Sequence, residues 1–374
     1  MFILQFWGRC RDLRIVISAI LLFVVTIARS ASAQENVIYV TLDGFRWQEL
    51  FSGAEERFIA KDAGVRDVGA LRERFWRQTP EERREVLMPF LWQTIVKNGQ
   101  IFGDPSRECI AKLTNGHKFS YPGYSEMFVG FADPRIDSND KFPNPNVNVL
   151  EFLNSREAFK GKVAAIATWD VFPFILNRER SGIFVHAGTG PIVDEPLTPR
   201  QQSLNHEIAN ALVLWPTNQL DLFAVELARE HLLKHRPRVI YLGLGETDEW
   251  GHERRYDLYL HAAHKADRQI KELWELIQSL PEYQGKTSLV ISTDHGRGET
   301  LGDWTNHGKD VPGAEFIWMA VMGPKTPVLG VREKIEVTQS QIAATLAQLV
   351  GEDFRQPVPQ AAEPLPGVLR NEQN

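Results

Sequence analysis

Cysteine is almost absent from this chain of 374 residues: Cys10 and Cys109 are the only two. Cys10 lies in a leader that reads as removable, so the remaining chain can form no intramolecular disulfide. A lone thiol also argues against a structural zinc centre built on thiolates. Stability must come from a packed core, which the 341 residues from Gln34 onward are enough to supply as one large domain or two small ones. Basic runs with interleaved aromatic residues are missing, and the formal charge is −6 for the whole chain and −9 without the first 33 residues. That excess of acid excludes the usual electrostatic footprint of a nucleic-acid binder. There is no internal repeat and no low-complexity tract beyond a Pro-rich tail, Gln356 to Pro366, which reads as a solvated strap.

The N-terminus carries Arg9, Arg11 and Arg14, then an apolar run from Ile15 to Ile27, then Ala31-Ser32-Ala33. This is the layout of a secretory signal peptide, with small residues suited to a signal peptidase pocket. The apolar run is short for a membrane span. The expectation is therefore a cleaved signal over 1–33 and a periplasmic or secreted protein, with an uncleaved anchor as the rival. No membrane partner is indicated beyond that segment.

Five runs rich in β-branched and apolar residues read as buried strands: Val37 to Leu42, Lys162 to Thr168, Val239 to Leu244, Thr287 to Thr293 and Ile317 to Met322. Helical spacing runs through Asp221 to His235, Leu258 to Leu280 and Gln339 to Leu349. Strands alternating with helices predict an α/β fold with a largely parallel sheet covered on both faces. Two stretches depart from that alternation, near 54–85 and 178–215, and read as insertions that roof the site and set substrate choice.

In parallel sheets, functional groups collect where the carboxyl ends of the strands open into loops. Asp43 follows the first run, Asp248 and His252 follow the third, and Asp294 with His295 follow the fourth. His307 stands in Asn306-His307-Gly308, in a loop ahead of the last run. Carboxylates and imidazoles without thiolate suit divalent metals, zinc first and manganese second, in a site left open for substrate. His231, His235, His261 and His264, on presumed helices, read as ordinary structural imidazoles.

A nucleophile is available in Lys118-Phe119-Ser120-Tyr121-Pro122-Gly123-Tyr124, where Pro122 and Gly123 predict a turn just after Ser120. A serine hydroxyl is weakly nucleophilic at neutral pH, and coordination to a cation can activate it without a neighbouring base. Lys118, Arg297 and Lys309 read as solvated surface charges. Asp170, after the second run, fits either a turn or the pocket wall.

Taken in chain order, Asp43, the Ser120 turn, Asp248 to His252, Asp294-His295 and His307 resemble the alkaline phosphatase superfamily, and especially its nucleotide pyrophosphatase/phosphodiesterase branch. The nucleophile of that branch is a Thr or Ser followed by an aromatic residue and a proline, as in Ser120-Tyr121-Pro122. The resemblance implies a three-layer sandwich and two divalent metals. One would be held by Asp43, Ser120, Asp294 and His295, the other by Asp248, His252 and His307. An asparagine that helps hold the phosphate is also implied, with Asn139 the candidate and Asn144, Asn146 and Asn148 its competitors.

The chain departs from the branch at Gly123-Tyr124, where an Asn-His pair is usual. Sulfatases of the same superfamily have an arginine where this chain has Tyr124, so conversion of Ser120 to formylglycine is not expected. The implied activity is hydrolysis of small phosphodiester or phosphomonoester substrates through a phosphoserine. The alternatives are a cofactor-independent phosphate mutase and a non-catalytic metal-binding relative.

Overall fold

The computed structural model describes residues 35–370. The expected signal segment, 1–33, lies outside the described residues. Residues from Glu35 onward fall into one compact unit.

Ten strands form among the described residues: β1 (Asn36–Leu42), β2 (Gly99–Phe102), β3 (Cys109–Lys112), β4 (Val163–Ala167), β5 (Phe184–Ala187), β6 (Val239–Leu244), β7 (Thr287–Ser292), β8 (Met319–Met322), β9 (Gly330–Val331) and β10 (Ile335–Thr338). Eight of them make one sheet in the order β5-β4-β6-β1-β7-β8-β2-β9, and β10 pairs with β3 apart from it. From β5 to β7 every pairing is parallel. β8 runs antiparallel to both β7 and β2.

The central strands are apolar on both faces, as a sheet covered twice requires. In β1, Ile38, Val40 and Leu42 enter one core, while Val37 and Tyr39 enter the other. The helices Asp221–His235 and Tyr256–Ser279 cover the first face. Ser120–Val129, Val149–Ser155 and Gln341–Leu349 cover the second. Each fully buried aliphatic side chain in these layers contributes about 1.5–3 kcal/mol. The result is the three-layer α/β sandwich the sequence predicts, with all five apolar runs present as strands.

Three expectations need correction. The stretch 178–215 is not wholly outside the alternation, since β5 lies within it and extends the sheet in parallel beside β4. The Pro-rich tail is not a solvated strap: Val358, Ala361 and Leu365 are buried in the second core. Two backbone bonds fix it there, from Ala362 N–H to the Gly130 carbonyl (2.8 Å) and from Leu365 N–H to Thr345 Oγ1 (2.8 Å). Finally, Ser120 does not sit in an isolated turn but opens the helix Ser120–Val129. Pro122 is tolerated because it falls in the first helical turn, where its missing N–H would have no partner.

Candidate active site

The three strands that carry the acids are neighbours, in the order β6-β1-β7, so their carboxyl ends deliver side chains to one place. Registers Leu42↔Leu244 and Thr41↔Ser292 bring the three strand ends level. Asp43 N–H donates to the Leu244 carbonyl (2.9 Å), and Thr247 Oγ1 donates to the Asp43 carbonyl (2.6 Å), tying the first loop to the second. Gly44 turns the chain at φ 58°, and a Cβ there would stand 2.5 Å from Asp248 Oδ1. Its N–H donates to Asp294 Oδ1 (3.0 Å).

Asp248 and His252 stand one turn apart on the short helix Glu246–His252, so both project from one face. His252 Nε2 lies 3.2 Å from Asp248 Oδ2 and 3.0 Å from His307 Nε2. His295 Nε2 is 3.4 Å from Asp43 Oδ1, 3.5 Å from Asp294 Oδ2 and 3.8 Å from Asp248 Oδ1. The rings of His295 and His307 stack with centroids 3.9 Å apart. All six sequence-predicted ligands of acid or imidazole type therefore converge, although residues 43 and 307 are far apart in the chain.

Ser120 joins them, with Oγ 3.4 Å from His295 Nε2. The loop before it is pinned by the buried carboxylate of Glu126, which accepts from Thr114 N–H, Asn115 N–H and Ser340 Oγ. Gly123 gives the close approach the site needs, because a Cβ on it would fall 2.6 Å from the Asp294 carbonyl oxygen. Asn139 lies beside Ser120, its Oδ1 accepting from Tyr121 N–H (2.9 Å) at the start of the helix. Its competitors have other work: Asn144 Nδ2 donates to Ser125 Oγ, Asn146 bonds Asp133, and Asn148 caps the helix Val149–Ser155.

Two side chains that bond the cage escape the sequence reading. The Tyr124 phenol donates to Asp43 Oδ2 (2.9 Å). Arg297, expected on the surface, is 1% exposed. Its guanidinium donates to the Asp248 carboxylate, the Asp248 carbonyl (2.8 Å), the Gly44 carbonyl (3.2 Å) and the Thr305 carbonyl (2.5 Å). Gly251 makes room for it, since a Cβ there would come within 2.7 Å of the guanidinium carbon. The Asp-His-Gly-Arg run was a signal for it, but only its burial assigns the role. Lys118 pairs with Glu315 (2.9 Å), Lys309 is exposed, and Asp170 pairs with Lys141 (2.7 Å) rather than with any ligand.

The electrostatics are those of a cage built for cations. Burial, then the charges of Asp294 and Asp248, pushes Asp43 well above the usual carboxylate range, and burial raises Asp294 as well. Burial acts the same way on Asp248 but is outweighed by Arg297 and His252, which hold that carboxyl well below the usual range. Burial, with the neighbouring His295, lowers His307. Asp43 Oδ1, Asp294 Oδ2 and His307 Nδ1 are buried without a hydrogen-bond partner. Two three-residue groups have ligand atoms mutually within 4.8 Å: Asp248, His252 and His307, and Asp43, Asp248 and His295. Crowded acids and orphaned buried oxygens are what bound divalent ions would resolve, and the donor set fits them.

Acids and imidazoles, some of them buried and His252 exposed, thus meet at the carboxyl edge of a mostly parallel sheet. The Metalloenzyme superfamily model matches residues 205–353, a stretch that holds Asp248, His252, Asp294, His295 and His307. Compared by sequence with curated proteins, the chain finds no match. Among solved structures it is similar to a phosphonate monoester hydrolase from Silicibacter pomeroyi, with a TM-score of 0.55 and 14% identity over 91% of this chain and 78% of that one. It is similar too to the lipoteichoic acid synthase LtaP from Listeria monocytogenes, with a TM-score of 0.53 and 11% identity over 86% of this chain and 73% of that one. A 2-O GAG sulfatase matches with a TM-score of 0.52 and 12% identity over 91% of this chain and 76% of that one. At these identities the likeness is one of fold, and it bears out the alkaline phosphatase-like architecture.

Proposed function

We propose that this chain is an exported, metal-dependent phosphoesterase that hydrolyses small phosphodiester or phosphomonoester substrates through a phosphoserine on Ser120, with a diester preferred. The observation that carries the reading is the approach of Ser120 Oγ to His295 Nε2 (3.4 Å) inside the cage of acids and imidazoles. Asp43, Ser120, Asp294 and His295 would hold one divalent cation and Asp248, His252 and His307 a second. Zinc is favoured by the donors with manganese as the alternative, and such a pair would lower the pKa of a bound hydroxyl and neutralise the phosphoryl oxygens.

The chain's own residues then divide the work. Ser120 Oγ attacks phosphorus as the bond to the leaving alkoxide breaks, and water later cleaves the serine ester from the opposite side to release phosphate or a phosphomonoester. Asn139 has its Oδ1 occupied by Tyr121 N–H, which leaves its Nδ2 hydrogens for a phosphoryl oxygen. Tyr124 and Arg297 orient Asp43 and Asp248. Because Tyr124 stands where sulfatases have arginine, Ser120 stays a serine in this reading. The layout of Met1 to Ala33 supports export.

In this reading the segments near 54–85 and 178–215 influence substrate choice. Arg57 donates to the Glu299 carbonyl (2.6 Å) in the loop that leads to His307, and the Trp215 ring packs on Trp250 (4.8 Å) between Asp248 and His252. The test is turnover of p-nitrophenyl phosphate, bis(p-nitrophenyl) phosphate and a p-nitrophenyl phosphonate after chelation and metal return. Chelation should abolish turnover and metal should restore it, with free phosphate from the monoester separating hydrolysis from intramolecular transfer. Full activity in Ser120→Ala or His307→Ala would overturn the reading.

A further inference from the structure

A second set of ligating side chains meets away from the active site. His231 and His235 stand four residues apart on the helix Asp221–His235, so their rings leave the same face, with centroids 4.5 Å apart. Asp194, from the loop between β5 and the helix Pro199–Asn210, comes down onto them. His235 Nε2 lies 2.8 Å from Asp194 Oδ1 and 2.9 Å from Oδ2. One ligand atom from each of Asp194, His231 and His235 lies within 4.8 Å of the other two. His231 is 5% exposed, and its Nδ1 is buried with no hydrogen-bond partner. A buried nitrogen left without a partner is destabilising, and a bond to a cation would satisfy it.

We propose that Asp194, His231 and His235 form a metal site separate from the active-site cage, taking Zn2+ or a similar first-row divalent cation and fastening the loop around Asp194 to the helix Asp221–His235. Two imidazoles at i and i+4 with one carboxylate make a recurrent zinc donor set, with water completing four-coordination. Ligand atoms around tetrahedral zinc stand roughly 3.3 Å apart, so the set closes by small side-chain rotations. Gln201 Nε2 (2.7 Å) and Lys234 Nζ (3.1 Å) both approach Asp194 Oδ2, orienting the carboxylate and leaving Oδ1 toward the imidazoles. The Lys234 charge opposes the cation, but its ammonium is also engaged by the Asp194 and Pro196 carbonyls.

The loop begins a segment whose far end touches the active-site helix. Trp215 packs on Trp250, and Asn218 Nδ2 donates to Glu249, both partners lying between Asp248 and His252. A cation at Asp194 therefore braces the near end of a segment that abuts the metal ligands. Its loss lowers thermal stability first.

The test is the metal content of the full chain after zinc loading and desalting, measured by inductively coupled plasma mass spectrometry. His235→Ala should hold one equivalent less than the unaltered chain. The difference, not the total, is the reading, so the result stands whatever the active-site cage holds. His231→Phe keeps a ring to stack on Phe184, now at 4.4 Å, and should show the same deficit. Zinc should raise the melting temperature of the unaltered chain more than that of either variant. Equal zinc content in the unaltered chain and in whichever variants fold, judged by circular dichroism, would overturn the site and leave Asp194 as an ion-pair partner only.

Discussion

The phenol of Tyr124 donates a 2.9 Å hydrogen bond to Oδ2 of Asp43, so the helix that presents Ser120 also orients a carboxylate of the cage one turn later. Tyr124→Phe removes that bond and little else, because the ring keeps its edge contact with Phe172 at 4.7 Å. Partners that orient metal ligands are worth roughly 10–100-fold in metal affinity or activity. The expected result is a loss of that size in metal titration and in kcat/KM with an unchanged melting curve. Unaltered metal affinity would show that Asp43 needs no orienting partner.

Arg297 is the cation that keeps Asp248 ionised inside the protein. Replacing it with methionine leaves the largely enclosed Asp248 carboxylate with histidine partners only and three carbonyls without a donor. Removal of one member of a buried ion pair costs about 3–5 kcal/mol. Urea denaturation of metal-free protein should register that loss, with Arg297→Lys recovering part of it.

Asn139 is expected to donate to the phosphoryl group from Nδ2 while its Oδ1 holds Tyr121 N–H. Removing one such donor costs about 10²–10³ in kcat. Asn139→Ala and Asn139→Asp should both show it, since aspartate keeps the acceptor but brings no donor. Asn144→Ala should be far milder in kcat, because that side chain bonds Ser125 Oγ and the Asn146 N–H and not the Tyr121 N–H beside Ser120. A fully active Asn139→Asp would remove the donor role.

His186, on β5, gives a pH dependence remote from the cage. Burial pushes its pKa down to about 4, and Nε2 has no partner. The folded state therefore binds fewer protons than the unfolded one between pH 6.5 and 4. Stability is unaffected by this group above pH 6.5 and is lost as pH falls through about 4, by roughly 3 kcal/mol at full effect. His186→Leu should flatten that part of the stability profile in denaturant titrations at several pH values. An unchanged slope would mean the imidazole charges as readily folded as unfolded.

The fold and the cage were legible in the sequence where local pattern decides structure. Asp43, Asp248, Asp294 and His295 each follow a short continuous apolar run rich in β-branched residues, and such runs form strands buried on both faces. β2, β3, β5, β9 and β10 were not legible, because strands of two to four residues outside a longer apolar run leave no periodicity to read. The Ser120 helix hid behind Pro122 and Gly123, which signal a turn locally but here serve a first helical turn packed on the Asp294 backbone. Tyr124 and Arg297 were out of reach because their partners are remote in sequence, and burial of a guanidinium follows only from the packed site.

Anomalous X-ray scattering from zinc-loaded crystals soaked with vanadate tests most directly the proposal that these side chains enclose two divalent cations beside one hydroxyl. Two zinc peaks are expected in the cage, besides any at Asp194: one within ligand distance of Asp43, Asp294, His295 and Ser120 Oγ and one within ligand distance of Asp248, His252 and His307, with vanadium on Ser120. A single zinc peak in the cage, or vanadium bound away from Ser120, would overturn that proposal.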